Sequence, residues 1–168
     1  MDEIVNKVAN SKLEVFDLED YFPKAPIVEL DISQWLLEGF ILKEKDFRET
    51  LKNYDWQQFS GQNVALFCVT DAILPAWTYS LVATYLAPFA NAIVQGDKKA
   101  MLLSLYQKEL SKIDFQFYAD KPVILKGCSN KPVPNEVYVL AIQELQKVGR
   151  SVMFGEACSA VPLYKKGK

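Results

Sequence analysis

Three cysteines, Cys68, Cys128 and Cys158, are the side chains of this 168-residue sequence with the clearest potential for chemistry. The chain has no histidine, which excludes a Ser-His-Asp or Cys-His relay, a histidine metal ligand and an imidazole pH switch. Any site must therefore use thiols, carboxylates, lysines, tyrosines or the backbone. An odd number of widely spaced cysteines is not the framework of a disulfide-rich secreted protein. The cysteines therefore indicate a cytoplasmic protein with reduced thiols.

Two carboxylates accompany the cysteines in the sequence. Asp71 follows Cys68 closely, and Glu156 comes shortly before Cys158. Three thiolates with Asp71 or Glu156 as a further ligand would form a zinc site, or would hold an iron–sulfur centre with an open or carboxylate-filled fourth position. Two alternatives stay open: separate structural cysteines, since cysteine is among the most buried residue types, and a nucleophilic thiol at Cys128 or Cys158 beside these carboxylates.

A segment of the chain recurs in its second half. Shifting the sequence by 59 residues aligns 64–97 with 123–156 without a gap and gives seven identical pairs. Each copy is predicted to form a strand, a loop, a helix and a second strand. The apolar runs at the start of each copy are typical of buried strands, and Pro75 and Pro134 stand where a helix begins. The sequence thus predicts a duplicated βαβ unit.

The alternation of strands and helices predicts an α/β fold with a mainly parallel sheet and helices on its faces. Between the copies, Asp97–Ile113 has the pattern of an amphipathic helix. The N-terminal third is predicted as an irregular β/α addition. It would hold strands at Leu13–Leu18 and Val28–Ile32 that pair with each other, a short helix or turn at Trp35–Ile41, and a helix at Lys45–Tyr54. No low-complexity linker divides the chain, so we predict a single domain over residues 1–168.

The cysteines acquire a common location in this fold. Ligands of open parallel sheets bind beyond the carboxyl ends of the strands. Cys68 and Cys128 end corresponding strands of the repeat, and Cys158 comes just after the last one. We therefore expect all three thiols at one edge of one sheet.

The segment Trp77–Phe89 is expected to be buried. It lies within a stretch, residues 72–95, that has no charged side chain and is long enough to span a bilayer. The aligned helix of the second copy, Pro134–Gly149, carries several charged residues and is typical of a soluble surface helix, so no membrane span is predicted. Either the N-terminal region or a second subunit would cover Trp77–Phe89, and the second alternative would make the protein a homo-oligomer.

Charge and glycine content exclude two classes of ligand. The chain has 19 basic and 21 acidic residues and a net charge of −2, which does not match the basic surface of a nucleic-acid-binding protein. The segment 127–130 lacks the glycines of a nucleotide-binding loop, so no nucleotide is predicted. Asp17, Glu19, Asp20 and Tyr21 form an acidic cluster that is interpreted as a solvated turn.

Several motifs together resemble a known family. They are the segments 3–11, 44–49, 126–134 and 155–166, of which the last two, Lys-Gly-Cys-Ser-Asn-Lys-Pro-Val-Pro and Gly-Glu-Ala-Cys-Ser-Ala-Val-Pro-Leu-Tyr-Lys-Lys, are the most specific. They resemble the uncharacterised bacterial family catalogued as domain of unknown function 2480. The resemblance implies a link to iron–sulfur cluster assembly proteins as partners, without an activity.

The prediction from the sequence is a small cytoplasmic protein with a cysteine-lined metal or iron–sulfur site at the strand-end edge, serving as an accessory factor in iron–sulfur cluster metabolism. The alternative is a non-enzymatic, self-associating interaction module whose cysteines are purely structural.

Overall fold

Buried apolar runs form inner strands of two separate sheets in the computed structural model of the protein, which describes residues 13–127, 129–156 and 159–167. The chain divides into a central unit, Pro23–Ser104, and a terminal unit, Met1–Phe22 with Leu105–Lys168. The single domain expected over residues 1–168 stays a prediction.

The described strands and helices alternate along the chain. In order they are β1 (Glu14–Asp17), β2 (Ile27–Asp31), α1 (Glu44–Asn53), β3 (Asn63–Phe67), α2 (Trp77–Leu86), β4 (Ala92–Gln95), α3 (Lys98–Leu110), β5 (Pro122–Lys126), α4 (Asn135–Val148), β6 (Ser151–Phe154) and β7 (Val161–Lys165). Short 3-10 helices follow β1 and β2 and precede β3 and β5. The predicted α/β class, with mainly parallel strands flanked by helices, is confirmed.

The central unit is built on a parallel sheet of order β2-β3-β4. Its middle strand, β3, is buried from Asn63 to Leu66, as expected for a strand covered on both faces. The helices α1 and α2 contribute Phe47, Leu51, Val82 and Leu86 to the core cluster that contains the sheet residues. Burial of these apolar side chains holds the unit together.

The aromatic face of α2 is covered within the central unit. The ring centroids of Trp77 and Phe47 are 6.3 Å apart, and those of Tyr85 and Trp56 are 5.4 Å apart. Elements from the N-terminal region therefore pack against this helix, which is the first of the two alternatives that the sequence predicts. A homo-oligomer through Trp77–Phe89 stays a prediction. None of the described helices is long and apolar enough to cross a membrane.

The terminal unit is built on a sheet of order β1-β5-β6-β7, in which β7 alone runs antiparallel to its neighbour. The inner strand β5 is again buried at residues 123–125. Val137, Ala141 and Leu145 are the buried residues of α4, and this helix contacts both β5 and β6. The crossover β5-α4-β6 thus repeats the crossover β3-α2-β4.

The backbone follows the 59-residue repeat closely. Gly96 N–H donates to Leu66 O at 2.8 Å, and Gly155 N–H donates to Leu125 O at 3.0 Å. The backbone hydrogen bonds at the other end of each βαβ unit also correspond. Asn91 N–H donates to Gln62 O, and Arg150 N–H donates to Lys121 O. The duplicated βαβ unit predicted for 64–97 and 123–156 is therefore present in the fold.

Two expectations about strand pairing are wrong. The strands of the two copies lie in two sheets instead of one, and β1 does not pair with β2. Each copy instead takes one N-terminal strand as a parallel neighbour: Leu30 of β2 pairs with Leu66, and Phe16 of β1 pairs with Leu125. Short apolar strands fit any parallel partner, so their local sequence does not specify the sheet that they join.

The remaining N-terminal elements agree with the sequence pattern. The helix expected at Lys45–Tyr54 is α1, and the segment expected as a short helix or turn holds a tight turn, in which Leu37 and Ile41 form an antiparallel bridge. The amphipathic helix expected at Asp97–Ile113 is α3.

Candidate functional site

The sequence-predicted site residues are distributed over both units. Cys68 and Asp71 follow β3 in the central unit, and Glu156 follows β6 in the terminal unit. Cys128 and Cys158 lie outside the described residues. Among the residues that the structure describes, no group of three or more cysteine, aspartate and glutamate side chains is arranged to hold a metal ion.

The carboxyl ends of three neighbouring strands in the terminal unit meet at one lysine. Lys126, the last residue of β5, places its Nζ atom 3.3 Å from Oδ2 of Asp17, at the end of β1. The same atom lies 3.8 Å from Oε1 of Glu156, after β6. The hydrogen bond and charge of Asp17, followed by the charge of Glu156, raise the pKa of Lys126. The lysine therefore stays an ammonium at neutral pH and acts as a fixed positive charge, not as a base or nucleophile.

A second carboxylate, Glu19, binds the loop that follows β5. Its Oε1 atom accepts hydrogen bonds from the backbone N–H groups of Ser129 and, at 2.8 Å, of Asn130. The hydrogen bond from Asn130 is the largest cause of the lowered pKa of Glu19, and it outweighs the effect of desolvation. Asp17 orients this side of the site, because its Oδ1 atom accepts the N–H of Glu19 at 3.0 Å.

Gly127 allows the loop after β5 to lie directly on the 3-10 helix at Leu18–Tyr21. Its φ angle is +155°, and a Cβ atom at this position would lie 2.6 Å from Cβ of Leu18. Leu18 is fully buried, so it has no room to move aside. The close approach requires glycine.

We call Asp17, Glu19, Lys126 and Glu156 the strand-end cluster. It lies at the carboxyl edge of a largely parallel sheet, where ligands of such folds bind. The described residues next to the two cysteines of this unit have defined contacts: Ser129, after Cys128, is bound by Glu19, and Ser159, after Cys158, donates its N–H to Glu156 O at 3.0 Å. The cluster supplies carboxylate oxygens and one ammonium group.

Asp31 occupies the place in the central unit that Asp17 occupies in the terminal unit. It ends β2, and its carboxylate accepts the N–H and hydroxyl of Ser33, at 3.0 and 2.7 Å, and the N–H of Val69 at 3.2 Å. Partial burial opposes ionisation of Asp31, but these hydrogen bonds lower its pKa below the usual value. In both sheets, an aspartate at the end of the N-terminal strand thus accepts the backbone N–H of the residue two positions later, Glu19 or Ser33.

Cys68 is satisfied as a protonated thiol. Its Sγ atom lies 3.2 Å from Oγ1 of Thr70, which also lies 2.6 Å from Gly39 O. A carbonyl oxygen can only accept, so the single hydroxyl hydrogen of Thr70 belongs to that bond. The thiol of Cys68 is then the donor in the other bond. This arrangement favours a structural role for Cys68 and leaves its role as a metal ligand a prediction.

The sequence predicts Glu156, but neither Asp17 nor Glu19, as part of a site. The sequence predicts a solvated turn around Asp17 and Glu19, whereas Glu19 accepts hydrogen bonds from the backbone at residues 129–130. The sequence contains one signal that these aspartates have equivalent roles. Asp17 and Asp31 each stand between two apolar residues at the end of a predicted strand, in Phe-Asp-Leu and Leu-Asp-Ile.

Comparison with known proteins identifies a family for this chain. Neither the curated proteins nor the solved structures include a significant match to this chain. The model of a protein family described as "Protein of unknown function (DUF2480)" matches residues 2–166, which is nearly the whole sequence. The chain belongs to this family.

Proposed function

We propose that the protein binds a thiophilic metal ion or an iron–sulfur centre at the carboxyl edge of the terminal sheet. Cys128 and Cys158 would be the thiolate ligands, and Glu156 would supply a carboxylate oxygen. The observation that carries the proposal is the 3.8 Å contact between Lys126 and Glu156. These two residues each stand two positions before a cysteine and lie at the ends of neighbouring parallel strands.

The strand-end cluster suits such a site electrostatically. Two thiolates and a carboxylate bring three negative charges together, and the ammonium group of Lys126 would offset part of this charge. Glu19 would hold the backbone next to Cys128 through the N–H groups of Ser129 and Asn130. Groups that orient the first ligands in this way contribute to metal affinity in other proteins.

The proposed ligand set leaves one coordination position open. Three protein ligands with a free fourth position are typical of zinc sites that exchange ligands, whereas structural zinc sites are closed by four. An open position would allow transfer of the metal or cluster to another protein. On this basis we propose an accessory role in iron–sulfur cluster metabolism, with cluster assembly proteins as partners.

Cys68 and Asp71 are not part of the proposed ligand set. The thiol of Cys68 already donates to Thr70, and it would have to lose both this bond and its proton to bind a metal. Cys68 therefore provides a matched control, because it tests the loss of a thiol without the loss of a proposed ligand.

Anaerobic purification followed by elemental analysis for zinc and iron and by absorption spectroscopy tests the proposal. We expect the wild-type protein to carry metal or cluster. We expect Cys128→Ala and Cys158→Ala to lose most of it and Cys68→Ala to retain it. Thermal unfolding of each variant, followed by circular dichroism, would verify that the chain is folded.

Two results would contradict this function. One is wild-type protein that contains neither metal and whose unfolding temperature does not respond to added zinc or iron(II). The other is full metal content in the folded double variant Cys128→Ala, Cys158→Ala. Loss of metal from Cys68→Ala as well would support the three-thiol site that the sequence predicts.

A further inference from the structure

Two loops at the carboxyl edge of the central sheet expose large apolar side chains. Ile73 is 98% exposed, Val69 70%, Phe40 56% and Ile41 51%. We call these four residues the apolar loop surface. Single exposed apolar residues are common, but a group of them on adjacent loops of one protein usually marks an interaction site.

The apolar loop surface includes both a projection and a groove. Phe40, Ile41, Ile73 and Trp77 line an open groove of about 660 Å³, and the acidic Glu44 and Asp71 also belong to its lining. Ile73 is almost fully exposed on the wall of this groove. An exposed apolar side chain next to a largely apolar groove makes the surface complementary to itself.

Hydrogen bonds hold the two loops in this arrangement. The hydroxyl of Thr70 donates to Gly39 O at 2.6 Å, which joins the loop after β3 to the turn at residues 37–41. Leu37 and Ile41 exchange backbone hydrogen bonds of 2.8 and 3.0 Å across that turn. The surface is therefore formed before a partner arrives, which lowers the entropic cost of binding.

Charged residues of both signs flank the apolar loop surface. Within the described part of the chain, no ion pair involves the acidic Glu38, Asp46 and Asp71 or the basic Lys43 and Lys45. Glu44, by contrast, binds Arg48 at 2.9 Å. Three acidic and two basic groups without an ion pair do not favour a strongly charged partner such as a nucleic acid or an anionic membrane. They do match a second copy, because a two-fold axis can place each set opposite the other.

We propose that the apolar loop surface is the contact of a two-fold homodimer. Ile73 of one protomer would enter the groove of its partner, and the reverse contact would form at the same time. The residues that would form the contact belong to the two loops after β2 and β3 and to the segment that leads into α1. This inference goes beyond the proposed function, because no proposed metal ligand belongs to the surface.

Sedimentation of the purified full-length chain over a range of concentrations tests the homodimer. We expect a dimer for the wild type and a 10- to 100-fold weaker dimer, roughly, for Ile73→Asp, since a charge replaces a fully buried isoleucine at the interface. The unfolding temperature at low concentration should not fall, because Ile73 makes little contact within its own chain. Val139→Asp is the matched control: Val139 is 57% exposed on α4 of the terminal unit, and this variant should dimerise as the wild type does.

Charge reversal tests the arrangement of the protomers. Two double variants are compared: one carries Glu38→Lys with Asp71→Lys, and the other carries Lys43→Glu with Lys45→Glu. Each should dimerise more weakly, because like charges would face each other. The combination of all four substitutions should restore the dimer, since the two sets exchange sign.

A wild-type monomer at every concentration, or an Ile73→Asp variant that dimerises as tightly as the wild type, would overturn the proposal. So would a fourfold variant weaker than both double variants. Metal content is measured separately, so failure of this inference does not affect the proposed function.

Discussion

Glu19 holds a loop that lies about 110 residues further along the chain. Its carboxylate accepts two backbone N–H groups, those of Ser129 and Asn130, at the edge of the terminal sheet. Hydrogen bonds to a charged acceptor are stronger than those between neutral groups. They also favour the ionised carboxylate, which is why the pKa of Glu19 lies below its ordinary value of 4.5.

We expect Glu19→Gln to change the pH dependence of stability. A group whose pKa is lower in the folded state contributes stability above its unfolded pKa and loses it as the pH falls through its folded pKa. At neutral pH, Glu19→Gln should therefore have a lower free energy of unfolding than the wild type. The difference should shrink below pH 4.5 and vanish below the folded pKa, where the wild-type side chain is also neutral. Urea unfolding at a series of pH values measures this difference.

Glu49→Gln is a suitable control for this experiment. Glu49 lies on α1, where its side chain makes no hydrogen bond or ion pair within the described residues. Its replacement should leave the pH profile of stability close to that of the wild type. A wild-type profile for Glu19→Gln would mean that the contact with Ser129 and Asn130 contributes nothing in solution.

The two βαβ units show which elements a sequence can reveal. The apolar runs at β3 and β5 and the prolines at residues 75 and 134 are local signals, and both helices and their flanking strands form where these signals predict. Sheet membership is not a local property, since the partner of β1 is more than 100 residues away. The strand-end cluster could not be predicted for the same reason, because Asp17 and Lys126 come together only through the pairing of β1 with β5.

Two buried positions that are equivalent in the repeat carry different side chains. Thr78 in α2 and Val137 in α4 occupy equivalent places and are both fully buried. Each donates its N–H to the carbonyl oxygen of the proline that precedes its helix, at 3.0 Å. The hydroxyl of Thr78 has no hydrogen-bond partner in the described part of the chain. A buried hydroxyl without a partner costs free energy that the equivalent valine does not.

Exchanging these two side chains should have opposite effects. Thr78→Val keeps the shape and removes the unsatisfied hydroxyl, so we expect the free energy of unfolding to rise by about 1 kcal/mol. Val137→Thr introduces such a hydroxyl into α4 and should lower it by about 1–3 kcal/mol. Chemical denaturation of both variants gives the two values. Destabilisation by Thr78→Val would show that the hydroxyl has a partner, such as a buried water molecule.

At the scale of the whole molecule, the division between the two units falls inside a helix. The central unit ends at Ser104 and the terminal unit resumes at Leu105, whereas α3 runs without interruption from Lys98 to Leu110. Both parts of the helix are buried: Met101 lies before the division and Tyr106 after it, and each is fully buried. Short helices are marginal in water without tertiary packing. Unfolding of one unit should then weaken the other through the shared helix.

We therefore expect a single cooperative unfolding transition, as for one domain, in scanning calorimetry. Leu66 and Leu125 are equivalent and almost fully buried, one in an inner strand of each sheet. Replacement of a buried leucine by alanine costs about 2–5 kcal/mol, and each kcal/mol lowers the unfolding temperature of a chain of this size by about 2–4 °C. Leu66→Ala and Leu125→Ala should both move the whole transition, while Leu163→Ala on the exposed strand β7 should move it little. Units that unfold independently would give a different pattern, because each core variant would then split the trace and move only its own part. Calorimetric and van't Hoff enthalpies that agree in both core variants would establish that the whole chain unfolds in one two-state transition.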